Sequence, residues 1–356
     1  MSPRLKSVVA FAASLVLGGG LLYLALRGAD LGAVRDALRD GAWGWLAPLF
    51  AVSVASVALR AWRWQLLLNA LPDADRDGPV SFETAFVSVT IGYLVNYAAP
   101  RLGEFARAAN VASRSGRSFP AVFGTVVAER VLDVATLAAA LVGVALVFGD
   151  RLDGVWSAFG SSIGSVLERL PTLSVGVLVG LGVATAAVAS LAVVAARRAR
   201  GGRGGRLFGL ADQFRQGLVA LVRLRQRGAL FVSTILLWAS YVLMADIPLR
   251  LLGLSEAYGL GLVDAWALMA VGAVGMSLPS PGGAGSYHYA TVLALTALFG
   301  VAASPAAAYA VIGHAAQLVF YCLSGVAALL WQGTSLGAIR RSAAEAQAGG
   351  SAVPSS

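Results

Sequence analysis

The stretch VVAFAASLVLGGGLLYLAL, residues 8–26, decides the fold class because it holds 19 consecutive residues without a charge. A helix of that length crosses the hydrocarbon core of a bilayer, which is about 30 Å thick. Similar apolar runs recur at 42–59, 121–148, 173–196, 229–249 and 306–331. The sequence lacks the period-two alternation that marks a membrane β-barrel. It therefore predicts an all-α polytopic membrane protein with about six full spans.

The composition excludes an ordinary soluble domain, since 58% of the residues are hydrophobic and only 13% are charged. The net charge of +9 comes almost wholly from arginine, which in a membrane protein first indicates cytoplasmic loops near anionic lipid. We therefore expect no nucleic-acid partner. The distribution of Arg and Lys over the loops predicts a multi-pass protein of the plasma (inner) membrane with cytoplasmic N- and C-termini.

Two short apolar arms, 80–99 and 265–278, each end in a break rich in proline and glycine. The first break reads APRLG at 99–103 and the second SPGGAG at 280–285. Interrupted apolar segments at corresponding positions in the two halves of a membrane protein point to a transporter site. We therefore predict two re-entrant helical hairpins that meet as a possible inverted repeat. Full crossing of the first arm stays open as an alternative.

The chain is predicted to consist of one membrane domain and a C-terminal tail. Residues 1–335 are predicted to form a single transmembrane flippase-like domain. Apolar residues at three-to-four spacing near 207–227 predict an amphipathic interfacial helix, and residues 342–356 are predicted to form a disordered cytoplasmic tail.

Ionisable residues within the run 121–148 are costly in lipid and usually mark a pathway. Glu129 lies four residues before Asp133 and Arg130 three residues before it, so that Asp133 is expected to pair with Arg130 on one helix. A purely structural ion pair is the alternative. A polar mouth is predicted beside it, formed by Asn96, Arg101, Glu104 and Arg107.

Arginine suits a lipid phosphate better than lysine does, because its planar fork donates two parallel hydrogen bonds. Arg60, Arg101 and Arg107 are the predicted phosphate donors. Arg63 and the nine arginines within 197–227 are interpreted as topology and surface anchors, and the sequence RAWRW at 60–64 as an interface anchor.

The glycine-rich break is the second predicted binding element. Unsatisfied amides are costly in lipid, so this backbone is expected either to line a cavity or to be a tight surface loop. In the first case its free N–H groups would receive an anion. The candidates are therefore Pro281, Gly282, Gly283 and Gly285, with His288 added because it is the histidine placed at the break.

Four motifs occur in order along the chain: LRAWRW at 59–64, NYAAPRLGEFAR at 96–107, ERVLD at 129–133 and PSPGGAG at 279–285. Together they resemble the lysylphosphatidylglycerol synthase transmembrane-region family, flippase-like proteins similar to the membrane half of the multiple peptide resistance factor. The resemblance covers about residues 5–335. It implies movement of a lipid between leaflets, with the polar residues of these motifs as the headgroup route.

This chain departs from the family pattern in two respects. The family often has an acidic residue where this chain has His288. The chain also ends soon after Trp331, so we expect no aminoacyl-transferase domain and no lysine transfer to lipid.

The predicted function is a flippase-like transporter for a phospholipid or another isoprenoid or phosphate-bearing lipid. A membrane-embedded transferase acting on a lipid-linked substrate and a non-transporting scaffold stay open as alternatives. Sequence motifs for prenyl diphosphate, zinc, nucleotide and serine-hydrolase sites are absent. We therefore expect no enzyme activity, no cofactor and no metal. The expected partners are a membrane phospholipid or lipid-linked anion, a second copy of the chain, or a lipid-modifying enzyme.

Overall fold

A computed structural model describes residues 3–72, 78–98, 102–167, 205–278 and 280–333. These residues form helices and their connections without a strand, which confirms the predicted all-α class. The helices are α1 (Pro3–Leu26), α2 (Leu31–Arg39), α3 (Leu46–Leu68), α4 (Phe82–Ala98), α5 (Gly103–Ser115), α6 (Phe119–Leu167, kinked at Phe148), α7 (Gly205–Arg223), α8 (Arg227–Leu251), α9 (Leu254–Tyr258), α10 (Leu262–Ser277), α11 (Ser286–Phe299) and α12 (Ala303–Trp331). Two 3-10 turns, Trp43–Trp45 and Pro281–Gly283, precede α3 and α11.

Four segments are long and apolar enough to cross a membrane: Trp43–Leu68, Phe119–Arg151, Arg227–Leu251 and Ala303–Trp331. They coincide with four of the predicted spans. The pair Leu15–Leu26 and Leu31–Arg39 would make a fifth span if it were continuous, but it bends by 82° between its two halves. The predicted span at 173–196 lies outside the described residues. The number of six spans therefore stays a prediction.

Both predicted hairpins exist as packed helix pairs. Helices α4 and α5 meet so closely that a side chain on Gly103 would strike the carbonyl oxygen of Gly92. The Asn96 side chain of α4 links the two helices, because its Oδ1 accepts a hydrogen bond of 2.8 Å from the N–H of Gly103 in α5. Helices α10 and α11 form the second pair, and glycine again permits the close approach at Gly275.

The two hairpins touch at their tips, as the predicted arrangement requires. A Cβ atom built on Gly282 would lie 3.2 Å from the Tyr97 ring at the end of α4. Helix α4 also packs against α3 and α12. Whether either hairpin is re-entrant or crosses the bilayer stays a prediction.

The amphipathic helix is observed as α7, which ends at Arg223, four residues before the predicted end. It crosses α6 where Gly217 faces Gly124, since both glycines leave no room for a side chain. Phe214 of α7 lies 6.3 Å from Phe123 of α6, measured between ring centroids. Part of its apolar face is therefore covered by protein.

The core between α3, α4, α5 and α6 positions the site. Trp64 is fully buried there, and its indole N–H donates a hydrogen bond of 2.9 Å to Thr125 Oγ1. Arg63 beside it is also fully buried. The interpretation of residues 60–64 as an interface anchor is therefore wrong, because both side chains point into the bundle.

Candidate functional site

Glu129 lies at the centre of a buried charge cluster. It is on α6, its side chain has no exposed surface, and three arginines from two other helices reach it. Arg60 and Arg63 of α3 approach Oε1 at 3.3 and 2.9 Å, and Arg107 of α5 approaches Oε2 at 2.8 Å. These contacts tie the first hairpin to both neighbouring spans.

Asp133 lies one turn further along α6 and completes the cluster. Its carboxylate oxygens form ion pairs with guanidinium nitrogens of Arg63 at 2.5 Å, Arg60 at 3.2 Å and Arg130 at 3.4 Å. Arg130 makes its shorter contact with Glu104 of α5, at 2.6 Å. The predicted pair of Arg130 with Asp133 is thus present, but it is the longest link of a network and not an isolated ion pair.

The cluster is not electrically balanced. Four arginines, at positions 60, 63, 107 and 130, face three carboxylates, at positions 104, 129 and 133. One net positive charge remains among these described residues. Several buried donors also have no hydrogen-bond partner among the described residues, namely Nε and Nη2 of Arg107 and Nε and Nη1 of Arg63. Buried guanidinium donors are costly to leave unpaired, so this arrangement suits an added anion.

A cavity of about 510 Å³ opens onto one side of the cluster. Arg60, Glu104, Arg130 and Asp133 form the charged part of its wall. Most of the remaining wall is apolar, including Leu268, Met269 and Met276, or aromatic. The aromatic residues are Tyr93, Tyr97, Trp238, Tyr241, Tyr287, Tyr309 and Tyr321.

Two of these tyrosines have hydroxyl groups held by the protein. The Tyr241 hydroxyl accepts hydrogen bonds from Nε and Nη2 of Arg60, at 3.3 and 3.0 Å. The Tyr309 hydroxyl donates to the backbone carbonyl of Ala245 at 2.7 Å. Arg60 is thus fixed on the cavity wall by Tyr241 as well as by the two carboxylates.

A second pocket of about 10 Å³ shares Arg60, Asn96, Glu104 and Arg130 with the large cavity and is also lined by Arg107. That volume is near the smallest that holds one water molecule. The pocket therefore has room for a single oxygen-sized group beside the Arg107 guanidinium.

The glycine-rich break contributes less than expected. Gly282 lines the cavity, but Gly283 packs against Met276 and Gly285 against the backbone of Gly18. The N–H groups of these two residues are engaged within the break: Gly283 donates to Ser280 O at 3.2 Å and Gly285 to His288 Nδ1 at 3.4 Å. These two amides are thus already engaged, and their role as anion donors stays a prediction. The side chain of Pro281 is not described.

His288 is buried beside the cavity wall and not on it. Its ring centroid lies 5.0 Å from that of His314 on α12 and 5.9 Å from that of Tyr287, which does line the cavity. Arg101 lies outside the described residues. Of the predicted site residues, the structure thus brings Arg60, Asn96, Glu104, Arg107, Glu129, Arg130, Asp133 and Gly282 together.

Sequence reasoning missed Arg63 and the aromatic wall. Arg63 was assigned to topology, yet it contacts both Glu129 and Asp133. Its spacing was an available signal, because residues three apart lie on one face of a helix and Arg63 follows Arg60 at that spacing. The tyrosines come from α4, α8, α11 and α12, so only packing brings them together.

The model of the lysylphosphatidylglycerol synthase transmembrane-region family matches residues 11–325 of the chain. The chain belongs to that family. The whole charge cluster and the cavity lie within the matched range of this family member. With its membrane-capable helices, the match establishes a multi-pass membrane protein.

The chain is also similar to "Glycosyltransferase AglD" of Haloferax volcanii, with 29% identity over 354 residues. The match covers 94% of this family member but only 56% of that relative's length. The relative's name contradicts the expectation that the chain has no enzymatic role, which the lack of sequence motifs had suggested. No solved structure matches the chain.

Proposed function

We propose that the chain binds the phosphate of a membrane phospholipid or another lipid-linked anion at the charge cluster and moves that lipid between leaflets. The observation that carries the proposal is the mostly buried arginine cluster, which has one net positive charge among the described residues and contributes Arg60 and Arg130 to the wall of a 510 Å³ cavity. A buried charge surplus is costly in a low-dielectric bundle, and an anionic ligand removes it. Family membership supports the proposal.

The donors that would hold a phosphate are Arg60 and Arg130 on the cavity wall and Arg107 in the small pocket. Arg107 supports this role because its Nε and Nη2 have no hydrogen-bond partner in the described part of the chain although the side chain is buried. Charge-assisted hydrogen bonds from guanidinium groups to phosphate are among the strongest available to proteins. Arg130 is the most exposed of the three, with 42% of its side chain accessible, and is therefore placed to meet an incoming headgroup first.

The rest of the wall supports lipid as the ligand. Leu268, Met269 and Met276 offer an apolar surface next to the charged part. A lipid has the same division into an anionic head and apolar chains. Methionine side chains adapt to differently shaped apolar ligands, which suits acyl or isoprenoid chains.

The test is a leaflet-specific assay with the purified full chain in vesicles that contain a fluorescent phospholipid. A membrane-impermeant reductant destroys the outer-leaflet fluorescence, so transport is measured as loss of the protected inner-leaflet fraction. Wild-type protein should remove that protection. Arg130→Gln should slow the loss about tenfold, because one charge-assisted phosphate contact contributes about 1.5 kcal/mol.

Arg114→Gln is the matched control, since Arg114 lies on the exposed last turn of α5 and makes no contact with the cluster. Its rate should equal that of the wild type. Wild-type protein that leaves the inner-leaflet signal protected would refute transport. Equal rates for the Arg130→Gln and Arg114→Gln variants would refute the assignment of the site.

The second candidate is a transferase that acts on a lipid-linked substrate within the same cavity. The relative named as a glycosyltransferase favours it. Glu104 and Asp133 are the carboxylates on the cavity wall that would accept a proton from an attacking hydroxyl. Incorporation of a radiolabelled sugar into extractable lipid by purified protein, lost in Glu104→Gln, would identify this activity. No incorporation from either nucleotide-linked or lipid-linked sugar would exclude it.

A further inference from the structure

We infer that the headgroup bound in the cavity is an uncharged sugar or polyol joined to the lipid through a singly charged phosphodiester. This inference rests on the proposed lipid-binding function and names its substrate class. Three features of the site carry it: the charge surplus of the cluster behind the cavity wall, the pairing of the carboxylates on that wall, and the aromatic surface next to them.

The charge surplus sets the charge of the ligand. The described residues of the cluster carry four guanidinium groups and three carboxylates, which leaves one positive charge. A phosphodiester carries one negative charge and so brings the cluster to neutrality. A phosphomonoester carries about −1.5 to −2 at neutral pH, and would leave a net negative charge buried in the bundle.

The pairing of the carboxylates disfavours a cationic headgroup. Glu104 and Asp133 are the acidic residues on the described cavity wall. Each already forms an ion pair: Glu104 with Arg130 at 2.6 Å and Asp133 with Arg63 at 2.5 Å. Once the phosphate is bound, an ammonium group on the same headgroup would be desolvated without a carboxylate to receive it. A neutral headgroup avoids that cost.

The aromatic surface gives a neutral sugar its contacts. Tyr93 and Tyr97 of α4 and Trp238 of α8 line the cavity together with charged residues of the cluster. The faces of aromatic rings carry partial negative charge, and the C–H groups of a sugar ring pack against them. Trp238 adds a specific donor, because no described residue accepts a hydrogen bond from its buried Nε1–H. A headgroup hydroxyl would accept that bond.

The experiment measures binding of defined probes to the purified full chain in detergent, by native mass spectrometry. Phosphatidylinositol supplies a phosphodiester with an uncharged polyol, phosphatidylethanolamine a phosphodiester with an ammonium group, and phosphatidic acid a phosphomonoester. Phosphatidylinositol should bind about tenfold more tightly than either of the others. Water-soluble glycerophosphoinositol should bind more weakly than phosphatidylinositol, because it lacks the chains that contact the apolar wall.

Trp238→Phe keeps the ring and removes the N–H donor. It should weaken binding of phosphatidylinositol about fivefold and leave phosphatidylethanolamine unchanged, because one hydrogen bond is lost only with the hydroxylated headgroup. Trp331→Phe is the matched control, since Trp331 is 75% exposed and lies outside the cavity. Its affinities should equal those of the wild type.

The outcomes separate the two proposals. If phosphatidylethanolamine or phosphatidic acid binds as tightly as phosphatidylinositol, the substrate class is wrong while lipid binding stands. If none of the three lipids binds, the proposed function is wrong as well. Equal binding of glycerophosphoinositol and phosphatidylinositol would show that the site takes a soluble phosphodiester and would overturn the lipid assignment.

Discussion

Neutralising Glu129 is the sharpest test of the charge cluster. Its carboxylate is fully buried and forms ion pairs with Arg60, Arg63 and Arg107, each with a nitrogen–oxygen distance of 3.3 Å or less. Glu129→Gln keeps the size and most of the shape of the side chain but removes its charge. Arg60 and Arg63 then keep only their contacts with Asp133, Arg107 loses its ion pair, and the net charge of the cluster rises from one to two.

The expected loss of stability follows from this change. Breaking a buried ion pair by removing one partner costs about 3 to 5 kcal/mol, because it leaves an uncompensated buried charge. At roughly 2 to 4 °C per kcal/mol for a chain of more than 150 residues, the melting temperature should fall by roughly 10 °C. Glu83→Gln is the matched control, since Glu83 is exposed and contacts the Trp331 indole at 2.8 Å.

Melting of the detergent-solubilised protein, followed by the loss of its monodisperse chromatographic peak, provides the measurement. A second variant isolates the charge effect from a packing effect. Arg63→Met in the Glu129→Gln background returns the net charge of the cluster to one and should recover several degrees. A double-mutant cycle then gives a coupling energy above about 0.5 kcal/mol. Equal melting temperatures for Glu129→Gln and wild type, or strict additivity of the two substitutions, would refute the reasoning.

The other predictions concern the hairpins and the orientation of the chain. Gly103→Ala should lower the melting temperature strongly because its methyl group would strike the facing helix, whereas Gly228→Ala, which meets open space in α8, should change it little; equal effects would contradict the hairpin packing. Gly283→Ala should reduce lipid transport in protein that remains monodisperse. The new Cβ would clash with Met276, and the backbone φ of 77° disfavours any residue other than glycine. Transport at the wild-type rate would show that the break can shift without loss of function. A cysteine introduced as Ser113→Cys, in a chain whose Cys322 is replaced by Ala, should not react with an impermeant thiol reagent in intact cells. The loop that follows is basic and is therefore expected on the cytoplasmic side. Labelling of this cysteine would place the loop outside the cell.

Much of the helical framework could be predicted from the sequence. The runs 42–59, 121–148, 229–249 and 306–331 each coincide, to within a residue at their start, with an observed helical segment long enough to cross a membrane. Both Gly/Pro breaks separate packed helix pairs, since those residues interrupt a helix wherever they occur together. These features are local: they depend on apolar length and backbone chemistry, which neighbouring residues specify.

The assignment of ion-pair partners could not be predicted in the same way. Spacing along α6 suggested that Asp133 pairs with Arg130, and it does so at 3.4 Å. The structure adds a contact of 2.5 Å to Arg63, a residue seventy positions earlier in the chain. Such a contact depends on how α3 packs against α6, and no local pattern encodes that distance.

The sequence by itself determined that this protein is an all-helical membrane protein with costly polar residues inside its apolar runs. Apolar length and the cost of unsatisfied backbone groups in lipid allow no other class. Only the tertiary structure decided that Gly282 lines the cavity while Gly283 and Gly285 do not, and that tyrosines from four helices form its wall. The physical reason is that a cavity is the space left between packed elements, so its lining depends on their relative placement, which is a property of the whole bundle.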